Sequence, residues 1–353
     1  MRETELGANP SVSRVSPSTA WSEKHTPDEE KLFEDFANRV IAAQQKENAR
    51  PDGTLMRGFH AKSHAGLVAE FKILNGLPDY ARFGVFSEPR IFPAVVRFSN
   101  SLQRRQSDKR LDPRGMAIKL IGIPRDKGYV TQDFLATSRS VISTARNTQQ
   151  FMAFVEAGRK GGLLPVNLAR AVGTGEAVRM LYAIVRSLVL RRKVRSVATE
   201  EYSGGAPIKL GPYAVVFTVR PSDGTKPPAR LRRTANFLQE ELTDRLRKGD
   251  VIFDFVVQFY VDEERTPIED NSVLWKPEHT PFLTVAQLRI PSCNLDDPLI
   301  SARSQVIDRY LFSPWHYIEE HRPLGNINRA RLVTYQVSAT LRGHSPEPTS
   351  LPD

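Results

Sequence analysis

The chain has 353 residues, 40% of them hydrophobic and 25% charged, proportions ordinary for a globular protein with a substantial core and soft on whether it forms one domain or two. The 50 Lys and Arg exceed the 40 Asp and Glu to give a net charge of +10, which suits an anionic partner such as a lipid headgroup or nucleic acid but serves solubility equally well. The single cysteine, Cys293, excludes an intramolecular disulfide framework and a cysteine-based zinc site; no nucleic-acid module signature appears, no stretch reaches the ~18 apolar residues of a spanning helix, and the start Met1-Arg-Glu-Thr-Glu5 lacks the apolar core of a secretory signal, so a cytoplasmic protein is expected.

Residues 1–25 mix Ser, Pro, Glu and Gly without periodicity and read as a flexible arm. Thr26-Pro27-Asp28-Glu29 announces a helix, with Thr26 as N-cap, and Leu32, Phe33, Phe36, Val40 and Ala43 supply its apolar stripe. Residues 55–75 show neither helical nor strand periodicity yet gather Arg57, His60, Lys62 and His64; the two histidines have a chelating spacing but lack the glutamate of a zinc-protease helix, so a metal site there is disfavoured. Strands are expected at 92–99 and 115–122. Residues 147–200 read as helical, and 178–195, apolar and then basic, suits either a helix packed on its own domain or one lying on an anionic membrane. Further strands are expected at 213–220, 251–261 and 283–290, with a charged helix between Leu231 and Arg247, which together give an α+β fold on an antiparallel sheet or barrel. One domain is expected over 26–345, with 346–353 as a loose tail.

The segment Arg331-Leu-Val-Thr-Tyr335-Gln-Val-Ser338-Ala-Thr-Leu-Arg342 has its polar groups at helical intervals, so one face carries Arg331, Tyr335, Ser338 and Arg342. An arginine one turn from a tyrosine favours the phenolate and suits it as an anionic oxygen ligand to a metal. Spacing alone equally allows a core tyrosine with its hydroxyl bonded to Arg331.

Taken together, Arg57-Gly-Phe-His60-Ala-Lys62, Val96-Arg97-Phe-Ser99, Asp112-Pro-Arg114-Gly-Met-Ala-Ile-Lys119 and the Arg331–Arg342 segment resemble the haem-binding core of catalases, in the same order and spacing. The closer likeness is to the short catalase-related haem peroxidases of bacteria, in which a His-Arg-Pro-Leu-Gly run, here from His321, precedes the tyrosine helix. The resemblance implies a catalase-like antiparallel β-barrel core with inserted and C-terminal helices, and a bound haem b. It implies Tyr335 as the proximal ligand to iron, held as phenolate by Arg331, and Arg57, Arg97 and Arg342 on the haem propionates. It implies His60 as the distal proton carrier, hydrogen-bonded by Ser99, and Phe151 and Phe154 lining the distal face and channel.

Two departures from the family bear on function. Aligning Asp133-Phe-Leu-Ala-Thr-Ser138 puts Ser138 where the family carries a distal asparagine, and Ser140-Val-Ile-Ser143 replaces an aromatic segment, so a wider or more polar distal pocket is expected. After the tyrosine, Val337-Ser338 replaces the Asp-Thr of full-length catalases, as is usual in the short relatives. The expected activity is a peroxidase that uses peroxide to oxidise an organic donor, with weak catalase activity at most. The alternatives are an enzyme rearranging or cleaving fatty-acid hydroperoxides at a membrane surface, and a haem-binding sensor. The resemblance leaves a monomer, dimer or larger oligomer open.

Overall fold

The computed structural model describes residues 16–110, 112–125, 128–138, 145–159, 162–190, 194–230 and 234–352, with backbone alone at 125, 128, 129 and 187–190. The expectations placed on 1–15, on Ser140–Ser143, on 191–193 and on the start of the helix at 231–233 lie outside the described residues.

Among the described residues, nine antiparallel strands organise the chain: β1 (Ser63–Ile73), β2 (Ile91–Asn100), β3 (Arg114–Arg125), β4 (Gly128–Ser138), β5 (Tyr202–Ser203), β6 (Ile208–Leu210), β7 (Tyr213–Pro221), β8 (Val251–Phe259) and β9 (Leu283–Ile290). They follow the order β5-β4-β3-β2-β1-β9-β8-β7-β6, and β5 also pairs with β7, placing Tyr202 opposite Val219. That second pairing closes an eight-stranded barrel, with β6 extending the hairpin to β7. Closure leaves no open edge among the eight strands.

Strand alternation then decides what lies inside and outside. Val96 and Phe98 of β2, Met116, Ile118 and Leu120 of β3, and Phe134 of β4 enter the main core. There Phe134 and Phe217 lie at 4.9 and 5.1 Å from Phe255, each buried ring contributing roughly 1.5–3 kcal/mol. Their odd-numbered neighbours, Arg97, Ser99, Gly115, Ala117, Leu135 and Thr137, face outward under a layer of helix. That layer is α7 (Pro298–Arg309), the segment after it, and α8 (Gly325–Arg342).

Several expectations are revised. The first half of β1 carries no period because both its faces are covered, His64, Ala65, Gly66 and Leu67 being buried in succession; from Ala69 burial alternates, with Phe71 and Ile73 buried and Lys72 exposed. Residues 147–200 form three helices, α3 (Thr148–Arg159), α4 (Leu164–Val172) and α5 (Thr174–Leu190), followed by a 3₁₀ turn and β5, with a break at Gly173, whose φ is 84°. The charged helix is shorter than expected, α6 spanning Phe237–Leu246.

The first helix does not use Thr26 as its cap. α1 (Glu29–Asp35) begins after Asp28 at φ 61°, because Glu29 bonds Arg329 of α8 at 2.7 Å. It runs through a π-helical turn, Phe36–Ile41, into α2 (Ala42–Glu47).

The described part of the N-terminal arm is docked: Trp21 donates to the carbonyl of Pro212 at 2.8 Å and Glu23 pairs with Arg322 and Arg329, each at 2.9 Å. The tail is also anchored. Glu347 reaches the fully buried Lys119 at 2.7 Å, beside Asp133 at 2.8 Å, and Leu351 packs near Phe312. Neither end showed this in the sequence, because the partners of Glu23 and Glu347 lie hundreds of residues away. Among the described residues, no helix is long and apolar enough to cross a membrane.

Candidate functional site

A cleft lies between the outer face of β2–β4 and α8, with the loop at 57–60 and Leu311-Phe312 completing its walls. From α8 it receives Arg331, Thr334, Tyr335, Ser338, Ala339 and Arg342, the helical face that the sequence spacing outlined. The Tyr335 hydroxyl has no hydrogen-bond partner among the described residues, and no hydrogen bond joins it to Arg331. Arg331 instead donates to Asn328 Oδ1 at 3.1 Å and to the Gly204 carbonyl at 3.4 Å. A tyrosine oxygen lining a cleft without a protein partner is available to a ligand.

The barrel side supplies His60. Its φ of 59° is unusual for a residue with a side chain and is held by three bonds: its N–H to the Ser101 carbonyl at 3.0 Å, its carbonyl to Arg97 Nη2 at 2.9 Å, and its Nδ1 to Ser99 Oγ at 3.0 Å. The ring fits because residue 115 is glycine, since a Cβ there would lie 2.3 Å from His60 Nδ1 and 2.8 Å from Ser99 Oγ. Burial, and then the positive charges of Arg97, Arg57 and Arg331, hold its pKa down to about 3, so the imidazole is neutral at physiological pH. With Nδ1 engaged by Ser99, Nε2 is the nitrogen left for chemistry.

At the cleft's polar end three guanidiniums converge. Arg57 donates to the carbonyls of Asp308 and Tyr310 at 2.7 and 2.6 Å, Arg97 Nε to Asp308 Oδ1 at 2.7 Å, and Arg342 to the Arg309 carbonyl at 3.5 Å. Burial and then the neighbouring guanidiniums act to lower the pKa of Arg57 and Arg342. Burial pushes Asp308 the other way, but Arg97 and Arg57 overcome it and hold its carboxyl at about 2. Among the described residues, one carboxylate thus faces three cations, and Arg342 Nε is buried with no partner. The deficit calls for an anionic guest with about two negative charges.

The sequence-selected residues do not all meet here. Arg57, His60, Arg97, Ser99, Arg331, Tyr335 and Arg342 line the one cleft. Ser138 does not: it is turned away and buried, its Oγ accepting the Arg114 N–H at 3.0 Å, because alternation along β4 gives the cleft to Thr137 instead. Phe151 and Phe154 also lie outside the lining. Phe151 is 38% exposed, with its ring centroid 6.3 Å from that of the lining residue Phe59, while Phe154 packs among α3, α4 and α5. Both sit on α3, which packs on α4 and reaches α8. His60 and His64 diverge, the second bonding Asn100 at 2.8 Å. Sequence reasoning missed Asp308 and Phe312, and it gave no role to Gly115, Thr137 or Ser338, although these three lie inside the quoted segments.

No family model matches the chain. It is 29% identical over 302 residues to a catalase-related peroxidase of Mycolicibacterium paratuberculosis, covering 82% of this chain and 87% of that protein. In structure it is similar to a fungal catalase, with a TM-score of 0.65 and 17% identity over 82% of this chain and 60% of that one. A bacterial catalase gives a TM-score of 0.61 and 16% identity over 98% of this chain and 67% of its own. The chain therefore spans about 60% of the length of the fungal catalase. By these likenesses the protein has the catalase fold and is similar in sequence to a catalase-related peroxidase.

Proposed function

We propose that the protein is a haem-dependent peroxidase of the catalase-related type, which uses peroxide to oxidise a small organic donor and has weak catalase activity at most. The observation that carries this reading is the donor set of the cleft. An unpartnered tyrosine oxygen, three arginines with one carboxylate, and a neutral histidine share a single space. Those groups fit haem b: Tyr335 would ligate the iron, and Arg57, Arg97 and Arg342 would hold the two propionates. When bound, the haem supplies the redox centre through which peroxide oxidises a donor.

The chain's own residues handle the proton and the access. His60, neutral and with Nε2 free, takes the proton of an incoming peroxide and returns it to the departing oxygen. Ser99 fixes the ring through Nδ1. Ile41, Phe59, Met116, Leu135 and Phe312 make the remaining walls largely apolar, which limits water and admits an organic donor. Thr137 offers a hydroxyl on the barrel face and no amide donor, which favours donor oxidation over rapid dismutation of a second peroxide. Purified protein supplemented with haem should show a Soret band that Tyr335→Phe shifts or abolishes. An unchanged band in that variant, or oxygen release at catalase-like rates, would refute the assignment.

A second reading, a fatty-acid hydroperoxide as substrate at a cytoplasmic membrane surface, is favoured by one feature. Along α5 the side chains of Val178, Tyr182 and Val185 are 61%, 67% and 55% exposed, a stripe at helical spacing followed in sequence by Arg191, Arg192, Lys193 and Arg195. Co-flotation with vesicles containing anionic lipid, together with consumption of a fatty-acid hydroperoxide without added reductant, would support it. Inert substrate would end it.

A further inference from the structure

We infer that Ser338 is a positioning residue that ties the His60 loop to the tyrosine helix and so sets the spacing between the two sides of the reaction cleft; this rests on the haem reading given above. Ser338 lies three residues after Tyr335 on the same face of α8. A serine inside a helix ordinarily turns its hydroxyl back to a carbonyl of the preceding turn, as Thr334 does with Ala330 at 2.9 Å. Ser338 instead reaches across the cleft wall. Its Oγ accepts the backbone N–H of Gly58 at 3.0 Å, while its own carbonyl accepts from Gln45 Nε2 at 3.0 Å.

Gly58 sits between Arg57, at the anion-binding end, and Phe59-His60. Among the described residues its bond to Ser338 is the one hydrogen bond that joins loop 57–60 to α8; the loop's other bonds run to the barrel, to Asp308 at the end of α7 and to Tyr310 just after it. The contact has no slack. A Cβ on Gly58 would meet Ile41 Cγ2 at 2.8 Å and Ser338 Oγ at 3.2 Å, so the loop is pressed against the π-helical turn and the tyrosine helix together. Removing the hydroxyl leaves a buried N–H without a partner, and the loop relieves that by moving off α8, carrying His60 with it.

The test uses the full chain loaded with haem, as wild type, Ser338→Ala and Ser338→Thr. Cyanide arrives as the neutral acid and requires a placed base to accept its proton, so its association rate with ferric protein reports the position of His60. Ser338→Ala is expected to bind haem as tightly as wild type but to associate with cyanide roughly tenfold or more slowly, with an altered ferric spin-state spectrum, and Ser338→Thr is expected to recover both. In the protein without haem, amide exchange at Gly58 should be protected in wild type and fast in Ser338→Ala. Cyanide rate and spectrum equal to wild type in Ser338→Ala, whatever its melting temperature, would overturn the inference, as would an unprotected Gly58 amide in the wild type. Absence of any Tyr335-dependent Soret band in the wild type would instead sink the haem reading itself. Should Ser338→Ala not fold, the Gly58 exchange of the wild type and the behaviour of Ser338→Thr still decide.

Discussion

Replacing Gly115 by alanine tests the distal geometry with a single methyl group. Gly115 stands in register between Ser99 of β2 and Thr137 of β4, and its φ is not in the left-handed region, so the backbone itself accepts alanine. In an open strand that change would add about 0.4–1 kcal/mol of stability by restricting the unfolded chain. Here the new Cβ would fall 2.3 Å from His60 Nδ1 and 2.8 Å from Ser99 Oγ. Restoring an ordinary contact of about 3.5 Å moves the imidazole by about 1 Å and breaks its bond to Ser99. The overpacking costs about 1–3 kcal/mol, so the net loss of stability is modest, roughly 0–2.5 kcal/mol. Reactivity should suffer far more, because a displacement of about 1 Å in a proton-transferring group lowers rates on the order of 100-fold. Stopped-flow mixing of the haem-loaded variant with peroxide, alongside urea unfolding, separates the two effects. A Gly115→Ala protein with normal haem content and a peroxide reaction within about twofold of wild type would show that His60 does not carry the proton.

Acid should destabilise the protein without haem in a defined window. Burial is the leading cause that lowers His60 to about 3 and His64 and His321 to about 4, so each binds a proton in the unfolded chain, near pH 6.5, before it does in the folded one. The stability they contribute is present above about pH 6.5 and is lost as pH falls toward 4, each histidine adding roughly 1.4 kcal/mol per pH unit. An unfolding free energy unchanged between about pH 7 and pH 5 would contradict those burials. Where the C-terminal tail is anchored, Lys119→Met leaves the fully buried Asp133 facing Glu347 without its ammonium, and a loss of about 3–5 kcal/mol in urea unfolding is expected. A loss under about 1 kcal/mol would mean that the tail anchor contributes little.

Much of the proximal side was readable in order along the chain, because a helix places residues three and four apart on one face whatever surrounds it. The spacing of Arg331, Tyr335, Ser338 and Arg342 therefore outlined the face of α8 that lines the cleft, and the motifs at 57–60 and 97–99 brought His60, Arg97 and Ser99 to it. The long strands β2, β3, β7, β8 and β9 were legible for a similar local reason, namely runs of apolar residues between turns. β1 was not, since its first half, where His64, Ala65, Gly66 and Leu67 are buried in succession, has no alternation to read, and only its second half alternates.

What only the tertiary structure decided concerns phase and partners. Whether Thr137 or Ser138 faces the cleft depends on the register of β4 against β3, where a shift of one residue exchanges the two faces, and no local signal sets it. That Phe151 lies against Phe59, that Asp308 stands among three arginines, and that Ser338 holds Gly58 are contacts between segments far apart in sequence. Helical spacing selected Tyr335 and its neighbours because its rule is local; the barrel's closure selected what stands opposite them, because that is set by which strands pair.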